Sequence, residues 1–164
     1  MTLGEFNALA PDEATAMLLM CCDVPAWAAA LRDGRPYETV GHVLAAADRA
    51  AGLLTPDEVA HALAAHPRIG EGPSRNGREA AWSRQEQSCV APDSETRAAL
   101  AAVNHAYERR HNRVFLICAT GLSAEQILAA ARRRLGNDDA VEAAVVVDEL
   151  RKIARMRLKR VLEA

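Results

Sequence analysis

Wound at about 100° per residue, the stretch from about Asp138 to Leu162 separates into two faces. Val146, Leu150, Ile153, Ala154 and Val161 fall in one apolar arc, while Asp148, Lys152, Arg155 and Lys159 occupy the opposite side. That pattern predicts a long amphipathic final helix. Helical signals cover most of the remaining chain and predict helices over Pro11 to Cys22, Pro25 to Leu31, Tyr37 to Leu53, Arg78 to Val90, Asp93 to Arg110 and Ser123 to Leu135. Thr55-Pro56-Asp57-Glu58 is a strong helix start, with a Thr cap, a proline in the first turn and Glu58 to close a capping box. This helix runs to about Ala65. Ser123-x-x-Gln126 opens its own helix in the same way.

Two stretches resist a helix. Ile69 to Gly77 holds three glycines and a proline, and should shape an opening between the elements on either side. Val114 to Gly121 is an apolar run stopped by glycine, too short for a typical helix by itself. Strand-like or irregular backbone there would leave peptide N–H groups free for a ligand. A plain buried connector is the other reading.

Composition narrows the fold class. The chain has 164 residues, enough for one domain spanning 1–164 around a single core. Its apolar half is supplied largely by Ala and Leu, and aromatics make up 4%. This favours an all-α fold, a single compact multi-helix domain, over a β-sandwich. A formal net charge of −2 provides no global field for nucleic acid. Arg132-Arg133-Arg134 reads as a solvated helix face, since it has neither aromatic interleaving nor a known DNA-binding pattern around it. Cys21, Cys22, Cys89 and Cys118 form no C-x-x-C pair, which suggests reduced thiols in a cytoplasmic compartment. Glu5, Asp12 and Glu13 give the amino terminus the wrong charge for a signal peptide, and no apolar stretch approaches membrane-spanning length. The ending Val161-Leu162-Glu163-Ala164 matches no peroxisomal address.

The candidate chemistry centres on His66. A residue before proline is disfavoured in the α region, so Pro67 should push His66 off the end of its helix. His66 keeps register with Val59 and Leu63 on the inward face, whereas His61 faces roughly the opposite way and should be solvated. A hydrogen-bonded core histidine is the plain reading, and a proton-transfer group is the functional one. Ser83, Glu86, Gln87 and Val90 share one helix face at i, i+3, i+4 and i+7. Their polar groups could converge on a small ligand rich in N–H and C=O groups, or simply meet solvent. Arg157 lies near the centre of the apolar arc of the final helix. An arginine there must be paired internally or line a polar cavity, where it would anchor an oxygen-rich ligand. His61, His66, Glu86 and Cys89 make no clean metal-ligand spacing.

With these residues in view, the chain closely resembles the 2-oxo-4-hydroxy-4-carboxy-5-ureidoimidazoline (OHCU) decarboxylases of urate degradation. The likeness runs through Cys21-Cys22, Trp27, His66-Pro67-Arg68-Ile69-Gly70 and Trp82-Ser83-x-x-Glu86-Gln87. It continues through Asn104-x-x-Tyr107, Phe115-Leu116-Ile117-Cys118, Arg134-Leu135-x-Asn137 and Arg157-Leu158. It implies an all-helical, cofactor-independent carboxy-lyase without a metal, usually a homodimer, that forms (S)-allantoin from a small ureide. By matching motifs, His66 and Glu86 should be catalytic. Pro67, the segment Ser83, Arg84, Gln85, Glu86 and Gln87, the backbone of Ile117, Cys118, Ala119, Thr120 and Gly121, and Arg157 should surround the substrate. The chain departs from the family at His111-Asn112-Arg113, where a Phe-Gly-Phe-like lead is more usual, and a change of local loop shape is expected there. The competing readings are a helical binding protein that keeps the pocket without the chemistry, and an enzyme of related class acting on another ureide. A turnover assay and product analysis separate them.

Overall fold

A proline or a capped polar residue starts most of the helices. The computed structural model describes residues 1–64, 66–69, 82 and 93–163. Among these are eight helices and no strand: α1 (Leu3–Ala8), α2 (Pro11–Cys21), α3 (Pro25–Asp33), α4 (Val40–Ala51), α5 (Pro56–Ala64), α6 (Ser94–His111), α7 (Ala124–Arg134) and α8 (Asp139–Leu162). The fold is all-α, as the composition and periodicity predict. The helix expected over Arg78 to Val90 lies outside the described residues apart from Trp82, which is helical and half-buried. Among the described residues no helix is long and apolar enough to cross a membrane.

The chain groups into two units, Met1–Ala62 with Val147–Ala164, and Leu63–Val146. In the first, α3 packs against α2 and α4. Trp27 is buried in α3, and its indole N–H donates to the Ala47 carbonyl of α4 at 3.1 Å. Polar caps set several helix ends within a few residues of the expected positions. Thr39 accepts from the His42 N–H, so α4 starts at Val40 rather than Tyr37. Cys22 is already extended, which ends α2 one residue early. The sequence reading missed α1, whose six residues bury one large apolar side chain, Phe6; a Thr2/Glu5 capping box opens it. On α8, Leu150, Ile153 and Ala154 are buried as the arc predicts. Val161 is half-exposed instead, and burial passes to Leu158 and Leu162 over the last turns. The opposite face of the helix is polar: Arg151 and Arg155 both bond Asp48 of α4, at 3.3 and 2.6 Å.

The second unit is built on α6 and α7, which pack together. Asp93 caps α6 by accepting from the Thr96 N–H at 2.7 Å, and Ser123 with Gln126 forms the expected capping box on α7. Leu100, Val103 and Tyr107 of α6 join Ile127, Leu128 and Ala131 of α7 in one apolar cluster. Ile69, Phe115, Ile117 and Ala119 complete it from outside the helices.

Candidate active site

His66 stands just past the end of α5, where the helix gives way ahead of Pro67. Its N–H donates to the Leu63 carbonyl at 3.0 Å, a tightened three-residue step in place of the four-residue helical one. The residue is half-buried, with its Nε2 atom shielded from solvent. Pro67 and Arg68 are half-buried as well, and Ile69 enters the core. Arg68 forms a two-pronged pair with Glu108 of α6 at 2.5 and 2.9 Å. Those hydrogen bonds hold the Glu108 carboxyl below its ordinary range. One turn earlier, the Asn104 amide donates to the Ile69 carbonyl at 2.9 Å. His61 is exposed, 3.5 Å from Asp23, in keeping with its helical phase.

Residues 114–119 form neither helix nor strand, so the backbone there is irregular. Phe115, Leu116, Ile117 and Ala119 are buried, Cys118 is half-buried, and Thr120 and Gly121 are exposed. The run closes in a turn, with the Leu122 N–H donating to the Ala119 carbonyl at 3.0 Å. Gly121 adopts φ +81°, and an added Cβ there would meet nothing within 4 Å. Backbone conformation, and not crowding, is what requires glycine.

A buried polar network holds this connector from behind. The Arg134 guanidinium donates to the Leu116 carbonyl at 2.7 Å and lies 4.6 Å over the Phe115 ring. It also bonds one Glu142 oxygen through Nε and Nη2, at 2.8 and 2.6 Å. The Tyr107 hydroxyl donates to that same oxygen, and the Asn137 amide donates to the other at 2.8 Å. Burial alone would push the Glu142 carboxyl up, but the hydrogen bonds from Arg134, Tyr107 and Asn137 outweigh it and hold the carboxyl low. This corrects the expectation of a solvated Arg132-Arg133-Arg134 face. Arg132 and Arg133 are exposed, whereas Arg134 is 8% exposed because it faces Glu142.

The departure at His111-Asn112-Arg113 has a local explanation. Asn112 adopts a left-handed conformation (φ 51°) that ends α6, and asparagine is the non-glycine residue that tolerates it best. The His111 ring packs on Tyr107 with centroids 4.7 Å apart, an aromatic contact of the kind a phenylalanine would make. Its Nε2 donates to the Arg134 carbonyl at 3.2 Å.

Arg157 is 4% exposed, in the apolar arc where the sequence puts it. Its charge reaches the neighbouring Cys22. Burial pushes that thiol up to about 12, with Arg157 pulling the other way, which favours the protonated thiol at neutral pH. Cys21 and Cys22 are both buried. Ser83, Arg84, Gln85, Glu86 and Gln87 lie outside the described residues. Among the described residues no group of three His, Cys, Asp or Glu side chains could hold a metal ion. Within the second unit, the His66 segment and the 114–121 connector meet in one core, because Ile69 packs in the same cluster as Phe115, Ile117 and Ala119. Asn104, Glu108, Tyr107 and Glu142, which support these two segments, received no role in the sequence reading.

An acid–base side chain released from a helix end, beside a braced connector on the same core, defines a helical protein with a candidate site for proton transfer. Comparison with known proteins makes this more specific. The OHCU decarboxylase family model matches residues 7–159. A 2-oxo-4-hydroxy-4-carboxy-5-ureidoimidazoline decarboxylase from Amia calva is 28% identical over 142 residues, covering 85% of this chain and 81% of that protein. One from Haloferax volcanii is 26% identical over 162 residues, covering 96% and 94%. The fold is similar to that of an OHCU decarboxylase crystallised in the presence of (S)-allantoin, with a TM-score of 0.76 at 23% identity, covering 89% of this chain and 96% of that one. The chain belongs to the OHCU decarboxylase family.

Proposed function

We propose that this chain decarboxylates OHCU to (S)-allantoin in urate catabolism, as a cofactor-independent carboxy-lyase acting as one domain over residues 1–164, homodimeric and cytoplasmic. The family match across residues 7–159 carries the reading. The carbon–carbon bond to the carboxylate breaks, CO₂ leaves, and the electron pair passes into the adjoining C=N bond of the ring. The ring nitrogen takes a proton. A proton then leaves the C4 hydroxyl as another is delivered to one face of the neighbouring carbon, which sets the configuration. The substrate supplies its own electron sink, so the protein must orient the carboxylate, stabilise charge that develops on the ring and choose the face.

His66 is the proton relay of this reading, in contact with the C4 hydroxyl or carboxylate region. Glu86 grips ureido or ring N–H groups, and Ser83 and Gln87 complete the hydrogen bonds. Pro67, Arg84, Gln85 and the backbone of Ile117, Cys118, Ala119, Thr120 and Gly121 complete the surroundings. Arg157 acts best on a ring or ureido carbonyl that gains charge, because clamping the departing carboxylate would stabilise the ground state too. The decisive experiment adds the protein to freshly generated OHCU. Faster CO₂ release and a single allantoin enantiomer are expected, and an unchanged spontaneous rate with racemic product would refute the proposal.

Two substitutions probe the binding roles. Glu86→Gln keeps the size but replaces a charged acceptor with a neutral amide, and should raise the barrier by about 2–3 kcal/mol in kcat/KM. Unchanged kinetics would put Glu86 on a solvated face. Arg157→Lys keeps the charge but loses the planar two-pronged donor, so turnover should fall. If Arg157 is a ligand anchor, Arg157→Met should leave the apo protein stable or even firmer, since a neutral chain suits the apolar arc, while allantoin affinity collapses. Lost thermal stability with retained allantoin affinity would assign Arg157 to an internal ion pair.

A further inference from the structure

We propose that Asn104 and Glu108, one turn apart on α6, are positioning residues that fix the backbone carrying His66. The inference rests on reading His66 as the proton relay. Past Ala64 the chain leaves its helix, and Pro67 has no N–H with which to rejoin one. Side chains of a rigid neighbour take over instead. The Arg68 guanidinium is gripped at two points by Glu108, and the Ile69 carbonyl is held by the Asn104 amide. These anchors sit two and three residues beyond His66, on one face of an 18-residue helix.

Asn104 shows why stability alone does not account for the arrangement. It is 3% exposed, and its amide oxygen Oδ1 is buried with no hydrogen-bond partner among the described residues. A stranded buried acceptor offsets much of what the bond to Ile69 contributes. Asn104→Leu removes the stranded oxygen and releases the Ile69 carbonyl, exchanging one unmet group for another. Its melting temperature should therefore change little, and its effect should appear in how His66 is held.

The test compares Asn104→Leu and Glu108→Gln, each alone and combined with His66→Ala. In ring-selective NMR of the apo protein, either single variant should shift or broaden the His66 imidazole signals and leave those of His61 in place. With OHCU as substrate, each should lower kcat by about tenfold or more, since a displacement of ~1 Å can cost ~10²-fold. That loss should vanish in the His66→Ala background, where no imidazole remains to be misplaced. Unmoved His66 signals, or equal kcat losses in both backgrounds, would overturn the positioning role. A wild-type protein without turnover would instead refute the proposed function, and the NMR comparison would still decide the positioning. Should Glu108→Gln fold poorly, Asn104→Leu decides alone.

Discussion

His66→Ala is expected to lower kcat by roughly 10²-fold or more, the range for loss of a general acid–base group, with the helices intact. Histidine is the motif side chain whose ordinary pKa lies near neutrality, so no other residue of the His-Pro-Arg-Ile-Gly segment can replace it as a relay. The fold should tolerate the change for a specific reason. His66 is joined to α5 by its backbone N–H on the Leu63 carbonyl, which alanine keeps, and the segment is held to α6 through Arg68 and Ile69. Circular dichroism and the rate of CO₂ release from OHCU, measured on the same preparation, check both halves of the expectation. His61→Ala is the control, because His61 is exposed and faces Asp23. A folded His66→Ala protein with nearly normal kcat would remove His66 from the mechanism.

The parts of the fold legible in the sequence are those set by local chemistry. Thr55 and Ser123 announce their helices through caps that depend on three or four neighbouring residues, and Pro67 ends one through sterics confined to a dipeptide. Arg157 was legible because a charge interrupts an apolar arc. The same signal marks Asn104, which shares a stripe with Leu100, Val103 and Tyr107, and Glu142, one turn ahead of Val146. Both are buried polar residues whose partners are distant in sequence: Asn104 bonds a carbonyl 35 residues away, and the Glu142–Tyr107 contact spans the same separation. Periodicity flags such a residue but does not name what it meets. Arg134 shows the reverse error, since a run of three arginines suggests solvent while the third points inward. The roles of Ser83, Glu86 and Gln87 rest on the family motif and helical spacing.

The Arg134–Glu142 pair carries the largest expected effect on stability. Glu142 is fully buried and Arg134 nearly so. Glu142→Gln keeps the volume but strands a guanidinium that cannot shed its proton, and removal of one member of a buried pair typically costs about 3–5 kcal/mol. The penalty should depend on pH with a definite sign. The Glu142 carboxyl is held low in the folded protein despite its burial, so its contribution is fully present above the unfolded value, about 4.3. It is lost as the pH falls through the folded value. The gap between wild type and Glu142→Gln in urea unfolding should accordingly be full at pH 7 and close progressively below about pH 4. Adding Arg134→Met to Glu142→Gln removes the stranded charge and should recover much of the stability. The Leu116 carbonyl would still lack its donor, so the connector carrying residues 117–121 should stay displaced and turnover low even in the restabilised protein. A gap that widens in acid would mean that Glu142 is protonated in the native state, and would overturn the ion-pair account of how this connector is held.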